Sequence, residues 1–325
     1  MKLSAWKANI LAFASFAAAI GLGGAAPARA SDLPGKPDIA KLQQELGSPL
    51  EGEIDHPDEF DTRHIFGMTE GADIGEAGER EALFSTSASI GKTGGGRYGG
   101  VEQDAACEHV LNDRFAYEFS LHGVALMTSG VPGVANFSQT TMSGLSFQGK
   151  YILLKRGTDG PVGVAVSVAP QFDSVDPVIG ANAHNLALPV KLMLDTELLR
   201  DQLYLGSNVL FSPAWNNETG HGFSQYALFG LTGALTYRLS PKVALGAQAE
   251  YDNVASSLGF ANWTGWASYI GPTLHVQVTE NSFVSASWSS QIAGKPAYNS
   301  AASLAAYNAS DLARQRGALV FGAQF

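Results

Sequence analysis

The chain has 325 residues, 45% of them hydrophobic and only 15% charged, with 37 glycines and a formal net charge of −10. An ordinary soluble domain is about 25% charged, so this composition excludes a typical large water-facing surface. No basic patch exists to engage nucleic acid, and a single cysteine, Cys107, excludes an intrachain disulfide framework.

Lys2 and Lys7 precede an alanine-rich apolar run from about Ala8 to Leu22, and the segment closes on Ala28-Arg29-Ala30. This is the pattern of a secretory signal peptide, residues 1–30, cut before Ser31. The apolar run is shorter than the ~20 residues of a spanning helix, and no later segment reaches that length without glycine, serine or charge. Residues 31–80 form an expected periplasmic N-terminal segment, irregular and acidic: from Ser31 to Ala82 there are 14 Asp/Glu against 4 Lys/Arg. Pro37 to Leu46 is its one short helix candidate, stopped by Gly47. The composition reads as a linker; the alternative is a segment docked in, or plugging, whatever the body forms. His56 and His64, with Asp55, Asp58, Glu59 and Asp61, make its densest group of metal-capable side chains. They read as a solvated acidic stretch, and no Cys/His cluster has ligand spacing, so neither metal nor cofactor is expected.

From about Glu81 the side-chain period is two. "PVGVAVSVAPQF" sets Val162, Val164, Val166 and Val168 against Gly163, Ala165, Ser167 and Ala169, one greasy face and one small, polar face. Twelve such segments are expected, near 81–91, 98–110, 115–127, 142–156, 162–174, 185–198, 202–215, 224–239, 243–255, 264–279, 283–295 and 314–325. From the second strand onward tight turns ("LNDR", "GTDGP", "LRDQ", "LSPK", "TENS") alternate with longer links, as in outer-membrane barrels with short periplasmic turns and long outer loops. In lipid every backbone polar group needs an internal partner, so without spanning helices closure of the sheet is the remaining solution. The fold class is therefore all-β: a transmembrane antiparallel β-barrel of about twelve strands over residues 81–325. Its outer aromatic girdle is expected from Phe147, Trp215, Tyr251 and Trp266, and its inner one from Phe115, Tyr237 and Phe325.

Gly94 to Gly99 spells G-x-G-x-x-G beside Gly91-Lys92-Thr93. A phosphate loop needs a helix behind it, but "VEQDAACEHV" is strand-like and Thr86 stands where a Walker motif needs glycine. The glycines read as the first outer loop.

With the greasy face toward lipid, the lumen candidates are Glu102, Asp104, Glu108, Glu118, His122, Lys150, Arg156, Asp173, Lys191, Asp195, Arg238, Glu250, His275 and Arg316, with Glu197 and Asp252 beside them. The turn near Asn112 and Asp113 sets Glu108 opposite Glu118 and Asp104 near His122. Two inward carboxylates at that spacing need a cation or a proton between them; Lys150 or Arg156 is the candidate. The charges either filter solutes or fill a narrow barrel.

The signal peptide, "FGMTEGADIGEAGEREA", the strand ladder and the terminal "VFGAQF" together resemble proteobacterial outer-membrane barrels, in particular the transporter family named for the meta-cleavage pathway of phenol degradation. The terminal strand ending at Phe325 resembles the signal read by the barrel assembly machinery. The resemblance implies passage of small solutes, aromatic or hydrophobic compounds included, across the bacterial outer membrane; it supplies no binding residues. The chain is accordingly expected to be a channel rather than an enzyme, with outer-membrane lipid, the assembly machinery and a small solute as partners. Two other classes are kept. A lipid hydrolase would draw on His221 and Ser224, but lacks a third group, and a structural barrel would pass nothing. A tail of about fifty residues is too short for an autotransporter's passenger.

Overall fold

Strands rather than helices follow from the two-residue rhythm, and in the computed structural model they run through fourteen segments among the described residues. These are β1 (Arg80–Ile90), β2 (Arg97–Asn112), β3 (Phe115–Ser129), β4 (Phe137–Leu154), β5 (Val162–Val168), β6 (Gln171–Val175), β7 (Asn182–Ala187), β8 (Val190–Leu199), β9 (Leu203–Glu218), β10 (Gly222–Ser240), β11 (Val243–Ala255), β12 (Trp263–Thr279), β13 (Ser282–Lys295) and β14 (Gln315–Gln324). The structure describes residues 62–92, 96–131, 136–175, 182–218, 222–260, 262–295 and 312–325. The signal peptide, the 37–46 helix, the group around His56, Gly94 and His221 lie outside them.

Neighbours pair antiparallel, and β14 closes on β1, from Glu81 opposite Gln324 to Ile90 opposite Gln315. β5 with β6, and β7 with β8, each make one stave, so the closed barrel has twelve staves. No helix among the described residues is long and apolar enough to cross a membrane; the staves are what cross. Phe84, Phe119, Leu145, Phe172, Leu186, Leu231, Leu245 and Ile270 are exposed on the outer surface. Such an apolar exterior on a closed sheet is the surface of an outer-membrane barrel, and it seats the chain in the bacterial outer membrane.

Stave boundaries differ from the sequence expectation where polar residues continue a strand. β4 starts at Phe137, so Phe147 lies mid-stave rather than in the outer girdle. β9 and β10 stay paired out to Glu218 opposite Gly222, which shortens the long loop expected between them. Beyond the hydrocarbon a ladder needs backbone partners only, not apolar side chains, so periodicity understates these ends. Trp215 and Trp266 do lie near outer ends, joined there by Phe211, Phe229, Phe260 and Trp263, whose rings pack 5.0–6.3 Å apart.

The two broken staves have one cause. The amide of Phe147 donates to Pro170 O (3.1 Å), that of Ala169 to Pro189 O (2.9 Å) and that of Leu188 to Pro213 O (2.9 Å). None of the three prolines has an N–H to return the bond. Three adjacent ladders thus each lose one bond along a single row, while the register on either side is unchanged.

Candidate functional site

Residues 62–79, "TRHIFGMTEGADIGEAGE", lie inside the barrel toward the end where the staves join by short turns. Glycine lets this stretch turn sharply and pack against the wall. Gly67 has φ +73°, and a Cβ there would sit 2.3 Å from Gln248 Oε1, so neither the conformation nor the space admits a side chain. At Gly206 of β9 a Cβ would stand 2.8 Å from the Phe66 ring, so the wall itself is cut back to seat the segment.

Wall side chains take up the backbone groups that an irregular segment leaves unpaired. Asn208 forms a two-bond pair with Glu70, accepting from its N–H and donating to its carbonyl, both at 2.8 Å. Gln248 accepts from Met68 N (2.8 Å), Lys150 donates to Gly71 O (2.9 Å), Thr236 to Ile65 O (3.2 Å) and Ser285 to His64 O (2.6 Å). Asp195 Oδ2 accepts from Thr62 Oγ1 (3.0 Å) and Ala72 N (2.8 Å), and its Oδ1 faces Arg156 at 3.0 Å. Contacts therefore come from staves all round the circumference. Two apolar clusters add burial: Ile65 and Phe66 among Tyr204, Ala234 and Ala244, and Ala72 and Ile74 among Val110, Ala116, Ile152, Ala165 and Met193. Full burial of a side chain such as Phe66, Ile65 or Ile74 stabilises by roughly 1.5–3 kcal/mol.

Arg63 is the ionic centre of the segment. Only 3% of its side chain is exposed, and its guanidinium meets Glu79 (2.6 Å), Glu108 (3.1 Å) and Glu81 (3.5 Å) while donating to Ile74 O. The guanidinium bonded to Glu108 thus comes from the N-terminal segment, whereas Lys150 and Arg156, the expected candidates, make their own bonds elsewhere, to Gly71 O and Asp195, and Glu118 accepts from Ser120. Glu108 does stand opposite Glu118, and Asp104 opposite His122. Lys191 pairs with Glu70 at 2.9 Å. Burial alone would raise the Glu70 carboxyl, but Lys191 and Lys150 outweigh it and hold it at about 2 against an ordinary 4.5. His64 stacks on Phe283 with ring centres 4.6 Å apart and sets Nε2 3.3 Å from Glu81; it belongs to this docking contact, not to a solvated linker.

Toward the long loops the lumen is lined by charged and aromatic side chains, most of them buried, and by an apolar cluster of Tyr98, Val124, Leu126, Val131 and Val175. Glu102 is exposed there. His122 lies between Asp104 (Nδ1 to Oδ1, 2.6 Å) and Ser146 (Nε2 to Oγ, 2.9 Å), and Ser85 Oγ donates to the other Asp104 oxygen at 2.8 Å. Asp173 accepts from Gln171 (2.9 Å). Across the barrel Arg316 bonds Asp252 and, at 3.3 Å, Glu250, and stacks over Tyr269 at 4.1 Å. His275, buried, meets Ser285 (2.8 Å), and Arg238 sits on β10 opposite Ala244 near the inner rim. Glu197, on the last turn of β8, accepts from Asp201 N. No group of three or more His, Cys, Asp or Glu among the described residues is placed to hold a metal. Gly96 leads directly into β2, so no helix stands behind the glycine run to receive a phosphate. Ser224 lies at the outer end of β10, opposite Asn216.

Residues 58–325 match the model of DUF6662, a family of unknown function, and the chain belongs to that family. No curated protein matches the sequence. Among solved structures it is similar to the COG4313 outer membrane channel from Pseudomonas putida F1, with a TM-score of 0.54 and 10% identity over 78% of this chain and 98% of that one. It is also similar to the translocator domain of autotransporter NalP from Neisseria meningitidis (TM-score 0.46, 13% identity, 88% and 96% covered). A KdgM porin in complex with disordered oligogalacturonate follows (0.44, 10%, 75% and 99%). The first of these shares the fold.

Proposed function

We propose that this DUF6662 member is an outer-membrane channel for small solutes, aromatic or hydrophobic compounds among them, with residues 62–79 as a resident plug that narrows its inner half. The observation that carries the reading is the way the inner half of the lumen is filled. Residues 62–79 close it, and beyond the backbone bonds of Gly78 and Glu79 to Val110 the segment is held by wall side chains such as Asn208, Gln248 and Lys150. Wall-to-plug bonds of that kind can be exchanged without opening the β-ladder, so the path can widen while the barrel stays intact. Passage needs no chemistry on the solute. The aromatic preference rests on the resemblance to the phenol-pathway transporters. The hydrolase alternative built on Ser224 gains no support, since His221, its candidate base, lies outside the described residues.

The test is solute-dependent swelling of liposomes holding the refolded full-length protein. Neutral sugars and small aromatic alcohols of graded size should enter, with a sharp upper size limit. Swelling no faster than in protein-free liposomes for every solute would refute the channel and leave a structural barrel.

A further inference from the structure

The side chains of β2, β3 and β4 form a relay that passage of a solute does not use. Register puts Asp104 directly across from His122, and a bulge beside His122 in the β3–β4 pairing brings Ser146, two residues beyond Gly144, within reach of the ring. Asp104 Oδ1 accepts from His122 Nδ1 at 2.6 Å, and Ser85 fixes its second oxygen. With the ring proton held on Nδ1, Nε2 presents a lone pair to the Ser146 hydroxyl at 2.9 Å. Nucleophile, base and orienting carboxylate stand at the separations that activate a serine. Gln171 lies opposite Ser146 in the next stave. One N–H of its amide goes to Asp173; an amide N–H is the kind of donor that a developing oxyanion needs.

We propose that Ser146 is an activated nucleophile and that the barrel hydrolyses small carboxylic esters inside its lumen, independently of whether solutes pass through. Ser146 Oγ attacks the ester carbonyl carbon as its proton moves to His122 Nε2. The C–O bond to the alcohol breaks, and the departing oxygen takes that proton. Water then attacks the acyl-serine by the same relay, releasing the acid and restoring the hydroxyl. Ser146 is 8% exposed, which restricts the acyl group to a short one. The carboxylates of Asp104, on His122, and of Asp173, opposite Gly144, flank the site and disfavour anionic esters, so the substrate class is small and neutral.

The experiment treats the refolded full-length chain in detergent with a small fluorophosphonate and maps the adduct by mass spectrometry, alongside turnover of p-nitrophenyl acetate. The expected result is an adduct on Ser146 and turnover that falls to background in Ser146→Ala. Both should slow by about a hundredfold or more in His122→Asn, the usual scale for a lost general base, and stay unchanged in Ser224→Ala. Folding of each variant is checked by its heat-modifiable electrophoretic mobility. No adduct on Ser146 in the folded parent chain overturns the proposal, as does labelling at an unchanged rate in folded His122→Asn. An adduct without turnover overturns the hydrolysis.

Discussion

Replacing Arg63 by alanine removes the one guanidinium that serves Glu79, Glu81 and Glu108 together. Glu81 is 1% exposed, Glu108 7%, and the two face each other across the β1–β2 ladder. Without Arg63 they form a buried like-charge pair. Breaking a buried ion pair by deleting one partner costs roughly 3–5 kcal/mol. At 1.4 kcal/mol per tenfold, that lowers the ratio of docked to undocked segment by about 10² to 10⁴. The ladder contains none of these bonds, so the barrel should persist while the segment leaves the lumen. Two assays read this separately: protease cleavage within residues 62–79, and unit conductance in a planar bilayer. Arg63→Ala should be cut rapidly and should conduct in larger steps than the parent, while keeping the heat-modifiable mobility of a folded barrel. Adding Glu108→Gln to Arg63→Ala should restore part of the protection, because only one carboxylate of the facing pair then stays charged. Unchanged cleavage and conductance in Arg63→Ala would show that the ionic centre does not hold the segment.

The carboxyl of Glu70 gives a pH signature. It is held at about 2 in the docked state against 4.5 free, and a depressed carboxyl stabilises above its free value and loses that contribution as pH falls. The difference in protease protection between parent and Glu70→Gln should therefore be constant from pH 7 to about 5 and shrink between 4.5 and about 2; a difference that persists at pH 2 would contradict the Lys191 pairing. Because 36% of the Glu70 side chain faces lumen water, the effect should be modest. Gly206→Ala drives a methyl group into the Phe66 ring, an overpacking worth roughly 1–3 kcal/mol, and should raise cleavage of the segment without altering the barrel's unfolding midpoint in urea; equal cleavage would place Phe66 elsewhere. Pro213→Ala supplies an N–H to the carbonyl of Leu188 and should raise that midpoint, a typical added bond being worth about 0.5–1.5 kcal/mol; a lower midpoint would mean that this carbonyl is already satisfied.

The barrel was legible because alternation in lipid is enforced by a large energy difference at every position. A one-residue slip of β5 would turn Val162, Val164, Val166 and Val168 into the lumen and Ser167 into hydrocarbon. The tight turn at Asn112 and Asp113 then fixed the pairing of Glu108 with Glu118 and of Asp104 with His122 without any further information. The docked segment was not legible for the opposite reason. Its bonds run from its backbone to wall side chains such as Asn208 and Gln248, and backbone groups carry no residue code. Composition alone, rich in glycine and acid, describes a solvated linker and a lumen plug equally well. Nor did the charges point to Arg63, because Lys150, inward on the stave beside Glu118, already offered a cation for the same carboxylates. The proline row was equally hidden, since each proline is tolerable in its own strand and becomes a seam only when the register aligns Pro170, Pro189 and Pro213 across three ladders. In both cases the sequence encodes each stave locally, whereas the features that distinguish one lumen from another arise between elements distant in sequence.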